Sequence, residues 1–163
     1  MTIDERAGAD QEASTIVREA RRADLPRIIE LLDQLGASPG QEDLSSPLLS
    51  SYIEAFEQIV SDPRQRLLVL ESAGDVVATA VLIIVPNLGH HGRPYALIEN
   101  VVVDASQRSQ RHGEQLMRYV IEQARAAACY KITLTSALRR EDAHRFYERL
   151  GFRFTHKGFR LDL

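Results

Sequence analysis

Features that mark several other classes of protein are scarce in this chain of 163 residues. Its single cysteine, Cys129, cannot form a disulfide within the chain, and no apolar run approaches the roughly 20 residues that cross a bilayer. The formal net charge is only −3, and the basic residues are spread along the chain instead of gathering in one block. We therefore expect neither nucleic acid nor a membrane as a partner.

The N-terminal segment lacks the basic and then apolar pattern of a secretory signal. Residues 1–14 are acidic and polar, so we expect a disordered tail there and a cytoplasmic location for the protein. The composition is that of an ordinary globular protein, with 44% hydrophobic and 26% charged residues. The length suits one hydrophobic core, which predicts a single domain over residues 15–163.

Hydrophobic spacing predicts the secondary structure of the first half. Alternation over 15–21 indicates a strand, and apolar residues at helical spacing after Asp24 and Pro26 indicate a helix that Gly36 ends. A loop rich in turn-forming residues follows over 37–49. The pattern then predicts, in order, a helix over 52–60, a strand over 66–72, a turn at Gly74 and Asp75, and a strand over 76–86.

The second half alternates strands and helices. In order, the pattern predicts a loop over 87–94, a strand over 95–103, a helix from Gly113 to Ala128, a strand over 131–136, a helix over 141–150 closed by Gly151, and one or two strands over 152–163. The element order indicates a mixed α/β domain in which one mixed sheet carries helices on its faces.

A polar turn joins the strand over 95–103 to the helix that follows it. Residues 108–113 read Arg-Ser-Gln-Arg-His-Gly. A helix N-terminus has unpaired N–H groups and a partial positive charge, so this turn could bind a diphosphate, to which Arg108 and Arg111 would add charge. The alternative is a solvated basic loop. A Walker-type nucleotide loop is excluded because the chain has no Gly-Lys-Ser/Thr motif.

Two further features accompany this turn: Glu99 within the apolar segment YALIENVVV, and the helical segment AHRFYERLGF. From about Tyr95 to Phe154, these three pieces in this order resemble the GNAT superfamily of N-acetyltransferases. The resemblance implies a GNAT-like acyl-CoA N-acyltransferase fold of the α+β class, with a central, mixed and mostly antiparallel sheet and helices on both faces. It also implies acetyl-CoA as co-substrate and an amine as acceptor, and homodimers are common in the family.

The resemblance assigns most of the candidate site to coenzyme A. The family binds the pantetheine arm with main-chain groups of the strand, and the diphosphate with the turn and the start of the helix. The residues implied here are Val101, Val102, Val103, Arg108, Ser109, Gln110, Arg111, His112, Gly113, Glu114, Arg140 and Tyr147. Arg111 stands where the family usually has its first glycine, and Arg140 stands where it often has asparagine.

Glu99 and Tyr147 are the candidate catalytic residues. In the family, a tyrosine at the position of Tyr147 points its hydroxyl toward the cofactor sulfur, where it could protonate the leaving thiolate; the alternative is a tyrosine that only packs. An amine with a pKa near ~10.4 is protonated at neutral pH, so a base must assist. Glu99 could serve, directly or through water, since a carboxylate in an apolar strand needs compensation. Alternatively, Glu99 faces solvent or pairs with Arg93.

Other kinds of chemistry find little support. The five histidines do not follow metal-ligand spacing, so we expect no metal, and Cys129 is expected to pack rather than to carry an acyl group, which favours direct transfer in a ternary complex. We expect the acceptor pocket between 36–51 and 87–95, where Glu42, Asp43 and Glu54 could attract a small cationic amine. A non-catalytic acyl-CoA-binding or sensing module is the alternative to an enzyme.

Overall fold

The computed structural model describes residues 14–35 and 40–163, and a single five-stranded sheet organises them. The strands are β1 (Thr15–Glu19), β2 (Gln65–Ser72), β3 (Asp75–Val85), β4 (Tyr95–Val103) and β5 (Ile132–Leu134). They lie side by side in chain order, and every neighbouring pair is antiparallel except β4 and β5, which are parallel. The mixed, mostly antiparallel sheet expected from the sequence is confirmed.

Five helices accompany the sheet in the described ranges. They are α1 (Leu25–Asp33), α2 (Ser50–Ser61), the single turn α3 (Gly89–Gly92), α4 (His112–Ala126) and α5 (Glu141–Arg149). Short 3₁₀ turns precede α1 at Arg22–Asp24 and follow β4 at Ala105–Gln107. In the part of the chain that the structure describes, no helix is long and apolar enough to span a membrane.

The helices pack on opposite faces of the sheet and create two apolar clusters. On one face, Leu116, Met117 and Val120 of α4 pack against sheet residues such as Leu82 and Ile98, and α5 adds to the edge of this cluster. On the other face, side chains of α1 and α2 pack against the sheet in a second apolar cluster. A buried aliphatic or aromatic side chain stabilises a fold by about 1.5–3 kcal/mol, so both faces contribute to stability. The expected helices on both faces are confirmed.

The β2–β3 hairpin turns one residue earlier than the sequence indicates. Ser72 pairs with Asp75, which leaves Ala73 and Gly74 as the two loop residues, with φ of 52° and 92°. Two consecutive residues with positive φ match the right-handed twist of the flanking strands, as in type I′ hairpins. The prediction of a hairpin is correct, but Asp75 belongs to β3.

A β-bulge interrupts β4 in its middle. Val81 of β3 pairs with Glu99, whereas Thr79 pairs with Val102, so β4 has one more residue than β3 between these two pairs. Asn100 takes up that residue with a left-handed φ of 55°. After the bulge, Val101 faces the same apolar cluster as Ile98, whereas Val102 faces the α1 and α2 side. The bulge therefore re-aims the second half of the strand.

The prediction of terminal strands over 152–163 is wrong. The structure has no strand in that range, and Phe159, Leu161 and Leu163 are fully or largely exposed. Alternating apolar residues give a segment the pattern of a strand, but a strand forms only where a neighbouring backbone supplies its hydrogen bonds. Two sequence expectations cannot be compared, because residues 1–13 and the predicted helix stop at Gly36 lie outside the described residues.

Candidate active site

The candidate site centres on a gap between β4 and β5. The two strands pair only where Ala96–Ile98 runs beside Ile132–Leu134, and β4 then continues to Val103 with β3 as its only strand partner in the described chain. Beyond Ile98, main-chain N–H and C=O groups on this edge of β4 are free of strand pairing. Such an edge can bind an extended ligand by main-chain hydrogen bonds, as an added strand would.

The two predicted catalytic residues lie on opposite faces of this sheet. Glu99, the first residue of β4 beyond its pairing with β5, is opposite Val81, whose side chain belongs to the α1 and α2 cluster. Tyr147 belongs to α5 and packs against the α4 cluster. The sheet therefore separates the two candidates, with Glu99 at the start of the unpaired part of β4 and Tyr147 on the α4 side.

Tyr147 is held by aromatic neighbours. Its ring lies 5.2 Å from that of Phe146 and 5.8 Å from that of Phe152, centroid to centroid, the latter in an edge-on arrangement. Burial raises the pKa of Tyr147 above its ordinary value, and the positive charge of Arg140 offsets part of that increase. The hydroxyl is therefore protonated at neutral pH, as a proton donor must be.

Glu99 does not form the salt bridge that was one of its alternatives. The Arg93 guanidinium donates instead to the carbonyl oxygen of Ala128, at 3.5 Å, and within the described chain no ion pair includes Glu99. Its side chain is half-buried. A half-buried carboxylate without a cationic partner can still accept a proton, which suits a base reached through water.

The turn before α4 has the backbone geometry of an anion site. Ser109 and Arg111 both have left-handed φ values, 72° and 60°, and Arg111 is the residue immediately before the helix. Left-handed residues within a turn direct successive N–H groups into a shared concavity. Arg111 lines an open depression of about 250 Å³ together with Glu114, Gln115 and Arg118. Arg108, Ser109, Gln110 and Arg111 are all exposed.

The first two residues of α4, His112 and Gly113, lie where the helix packs closely against its neighbours. A Cβ on Gly113 would come within 3.3 Å of Phe146 Cζ and of Val103 Cγ2, so glycine allows α4 to approach both β4 and α5 closely. His112 is only 5% exposed, and its Nδ1 has no hydrogen-bond partner. A buried polar atom without a partner is costly, and this one lies at the helix end where the sequence predicts a ligand.

The expected acceptor region is held together by its own side chains. Asp33, the last residue of α1, accepts hydrogen bonds from the backbone N–H groups of Gly40, at 2.8 Å, and Glu42, at 3.1 Å. Glu42 accepts a bond of 2.8 Å from the hydroxyl of Tyr52, and Asp43 accepts one of the same length from the N–H of Ser45. Glu42 and Asp43 thus already have structural partners.

Two residues near the gap, Asn100 and Ser136, were not identified from the sequence. Asn100 forms the bulge, and Ser136, two residues beyond the end of β5, has a buried Oγ without a hydrogen-bond partner. Asparagine tolerates left-handed φ better than most residues, so its presence within an apolar run was the available signal for a bulge. Nothing in the local pattern distinguishes Ser136 from other residues after a strand.

The remaining candidates for chemistry have structural roles. Cys129 packs against the α4 cluster, and burial raises the pKa of its thiol, which disfavours the nucleophilic thiolate. The ring of His90 stacks on Tyr130 at 3.8 Å. Across the described ranges, no group of three His, Cys, Asp or Glu side chains is placed to hold a metal ion.

Comparisons with known proteins identify the family to which this chain belongs. Residues 25–152 match the acetyltransferase (GNAT) family. The chain is 33% identical over 153 residues to glucosamine 6-phosphate N-acetyltransferase of Trypanosoma brucei brucei, covering 90% of this chain and 95% of that protein. It is 31% identical over 109 residues to aminoalkylphosphonate N-acetyltransferase of Salmonella typhimurium, covering 67% of this chain and 70% of that protein.

A solved structure is similar over nearly the whole fold. The crystal structure of a transcriptional regulator from Bacillus halodurans C-125 matches with a TM-score of 0.88 and 33% identity, over 92% of this chain and 100% of that one. The family match covers β4, β5, the polar turn over residues 108–113, α4 and α5, and so includes every element of the candidate site. The chain therefore belongs to the GNAT family of N-acetyltransferases and is an acyltransferase.

Proposed function

We propose that this protein moves the acetyl group of acetyl-CoA directly onto a primary amine of a small molecule, in a ternary complex, as one domain formed by residues 15–163. The observation that carries the proposal is the gap beyond Ile98, with Glu99 on one face of the sheet and Tyr147 on the other. This arrangement lets an amine and a thioester approach from opposite sides. Holding two reactants in such a geometry is a large source of rate enhancement.

The residues present fit coenzyme A. The N–H groups of the turn and of the first turn of α4 suit the diphosphate, together with Arg108 and Arg111. The buried and unpartnered Nδ1 of His112 supports a polar ligand at this end of the helix. The free edge of β4 over Val101–Val103 suits the amide groups of the pantetheine arm. Ser109, Gln110, Gly113 and Glu114 would complete this surface, and Arg140 would contact the arm near the sulfur.

Proton movements follow from the positions of the two catalytic residues. When bound, acetyl-CoA supplies an acetyl group activated as a thioester. Glu99, through water, would take the proton that the acceptor ammonium must lose, and the N–H of Val101 would polarise the thioester carbonyl. As the amine nitrogen forms its bond to the acetyl carbon, the carbon–sulfur bond breaks. Tyr147 would donate its proton to the departing sulfur and regain one from the nitrogen, and its raised pKa keeps that proton available at neutral pH. Each such proton transfer is worth on the order of 10² to 10⁴ in rate.

The acceptor class can be narrowed from the relatives. Two of them act, by name, on glucosamine 6-phosphate and on aminoalkylphosphonates, which are small primary amines that carry a phosphorus oxyanion. We propose such an amine as the acceptor. The carboxylates of Glu42 and Asp43 accept hydrogen bonds from neighbouring residues of the same region, so we propose that they shape the pocket wall. Glu54 on α2 is exposed and could attract the amine.

The test is a thiol-release assay with matched amine pairs. Glucosamine 6-phosphate and 2-aminoethylphosphonate are compared with glucosamine and ethanolamine, which lack the phosphorus group. We expect turnover with at least one phosphorylated or phosphonate amine and a kcat/KM at least about tenfold lower for its partner, the loss expected when a charged hydrogen-bonding group is removed. Turnover of only the amines without a phosphorus group would contradict the acceptor class but keep the reaction. If none of the four amines released coenzyme A, both would be contradicted.

A homodimer is proposed as the functional assembly. Phe159, Leu161 and Leu163 alternate along the C-terminal segment and are exposed within one chain, and β5 has β4 as its only strand partner in the described chain. An apolar segment beside a free strand edge favours pairing with a second copy. Light scattering should give twice the chain mass for the intact protein and the single-chain mass after removal of residues 155–163. A monomer in both cases would contradict this assembly.

A further inference from the structure

The carboxylate of Asp104 binds several groups at the turn between β4 and the proposed coenzyme A loop, residues 108–113. Asp104 follows β4 directly and is 8% exposed. One of its carboxylate oxygens accepts hydrogen bonds from the backbone N–H of Ser106, at 2.8 Å, and from the Ser106 hydroxyl, at 2.6 Å. These bonds, with the nearby Arg27, lower the pKa of Asp104 to about 2, so the carboxylate stays ionised. Its own N–H donates to the carbonyl oxygen of Val77 at 2.8 Å.

Helix α1 reaches this turn from the opposite side with two side chains. The Arg27 guanidinium donates to the second carboxylate oxygen of Asp104, and its Nε donates to the carbonyl oxygen of Val76 at 3.0 Å. The side-chain oxygen of Gln34, the residue after α1, accepts a bond of 2.9 Å from the N–H of Ala105. Both contacts connect α1 to residues more than 70 positions later in the chain.

From these contacts we propose that Arg27 and Gln34 are positioning residues that set the place of the coenzyme A loop, residues 108–113. The inference rests on the proposed function, since it assumes that this loop binds the diphosphate. The 3₁₀ turn Ala105–Gln107 is joined directly to Arg108, so it transmits any shift at Asp104 or Ala105 to the loop. Neither Arg27 nor Gln34 belongs to the loop, and each acts through the turn.

The geometry also explains why side chains are used at this place. The N–H of Ala105 lies beyond the end of β4 and so has no sheet partner of its own. Gln34 satisfies it from outside the strand. Water can satisfy this exposed N–H, but only a protein partner such as Gln34 also joins the turn to the end of α1. Displacements of about 1 Å can cost orders of magnitude in rate.

The experiment measures affinity for coenzyme A and for pantetheine by calorimetry. Gln34→Met keeps the length of the side chain but removes its acceptor, whereas Gln34→Glu keeps an acceptor oxygen. We expect Gln34→Met to weaken coenzyme A binding by about three- to tenfold, the equivalent of one lost hydrogen bond, and Gln34→Glu to stay within about twofold of wild type. Pantetheine has no diphosphate, so its affinity should be equal in all three proteins. Gln58→Met, on the exposed surface of α2, is the matched control.

Arg27→Lys is the second variant, because lysine keeps the charge but cannot donate to Val76 and Asp104 together. We expect it to weaken coenzyme A binding at least as much as Gln34→Met does. If the wild type binds coenzyme A and both variants bind it with the same affinity, the positioning role is overturned and the proposed function stands. Equal weakening for coenzyme A and pantetheine would also overturn it, since the effect would not pass through the diphosphate loop. If the wild type binds no coenzyme A at millimolar concentration, both the proposed function and this inference fail.

Discussion

The two faces of the sheet form their parts of the site from different kinds of groups. On the α4 face, the proposed contacts to coenzyme A come largely from the main chain, at the edge of β4 beyond Ile98 and in residues 108–113. On the α1 face, the loop that follows α1 is held by side chains, above all Asp33 and Tyr52. Every residue type offers the same main-chain groups, whereas a loop fixed by side chains changes with each substitution. The proposed contacts to coenzyme A are therefore general in kind, although the turn before residues 108–113 is itself fixed by side chains, and the proposed acceptor side is particular.

Tyr147 should give the largest effect if the two faces divide the chemistry in this way. Replacing Tyr147 by Phe keeps the aromatic packing but removes the proton donor, so we expect kcat to fall by about 10² to 10⁴ while affinity for coenzyme A stays within about twofold. Steady-state kinetics and calorimetry measure the two quantities. Because burial raises the pKa of Tyr147, any decline of the wild-type kcat through loss of this proton should begin at a higher pH than an ordinary tyrosine would give.

The control for this change is Tyr119→Phe. Tyr119 lies on α4 and packs against the same apolar cluster as Tyr147, so its hydroxyl tests whether any tyrosine of this face matters. Full activity of Tyr147→Phe, or an equal loss in both variants, would contradict the donor role.

Glu99 tests the opposite face. Glu99→Gln removes the base but keeps the size of the side chain, and we expect kcat at pH 7 to fall by about 10². The loss should shrink as the pH approaches the pKa of the acceptor amine, since a neutral amine needs no base. A pH profile of kcat/KM from pH 6 to 10 measures this convergence.

Glu148→Gln, an exposed change on α5, should leave that profile unchanged. A Glu99→Gln deficit that is constant across the pH range would mean that Glu99 positions the acceptor and does not accept its proton.

Substitutions at Arg111 test whether side chains, and not only main-chain groups, contribute to the affinity for coenzyme A. Its left-handed φ of 60° suits glycine or asparagine better than arginine, so Arg111→Asn can keep the backbone while removing the charge. We expect coenzyme A affinity to fall by about three- to tenfold in both Arg111→Asn and Arg111→Gly, because one exposed charge contact with the diphosphate is lost. Calorimetry at two salt concentrations should show a weaker salt dependence in both variants. Unchanged affinity would mean that the Arg111 side chain does not contribute to diphosphate binding.

The sequence was most informative where local spacing decides structure. β4 begins and ends where apolar periodicity predicts, and the ends of α4 and α5 lie within two residues of the predicted ones. The bulge at Asn100 was not predicted, because it depends on how β4 pairs with β3. The terminal strand was wrongly predicted, since alternation over 152–163 does not supply a partner backbone. Contacts such as Arg27 with Asp104 join distant positions, and no local pattern contains them.

Asp33 offers the smallest effect but the sharpest separation of the two faces, since it is adjacent to Gln34. Asp33 holds the N–H groups of Gly40 and Glu42 on the acceptor side, while Gln34 holds Ala105 on the donor side. We expect Asp33→Ala to raise the KM for the acceptor amine by about two- to fivefold, because the loop loses solvent-exposed hydrogen bonds, and to leave coenzyme A affinity unchanged. Gln34→Met should show the reverse pattern. Asp33→Asn retains an acceptor oxygen and should lie between wild type and Asp33→Ala. If Asp33→Ala instead weakened coenzyme A binding as strongly as Gln34→Met, the end of α1 would act as one unit on both substrates, and the division between a general donor side and a particular acceptor side would not hold.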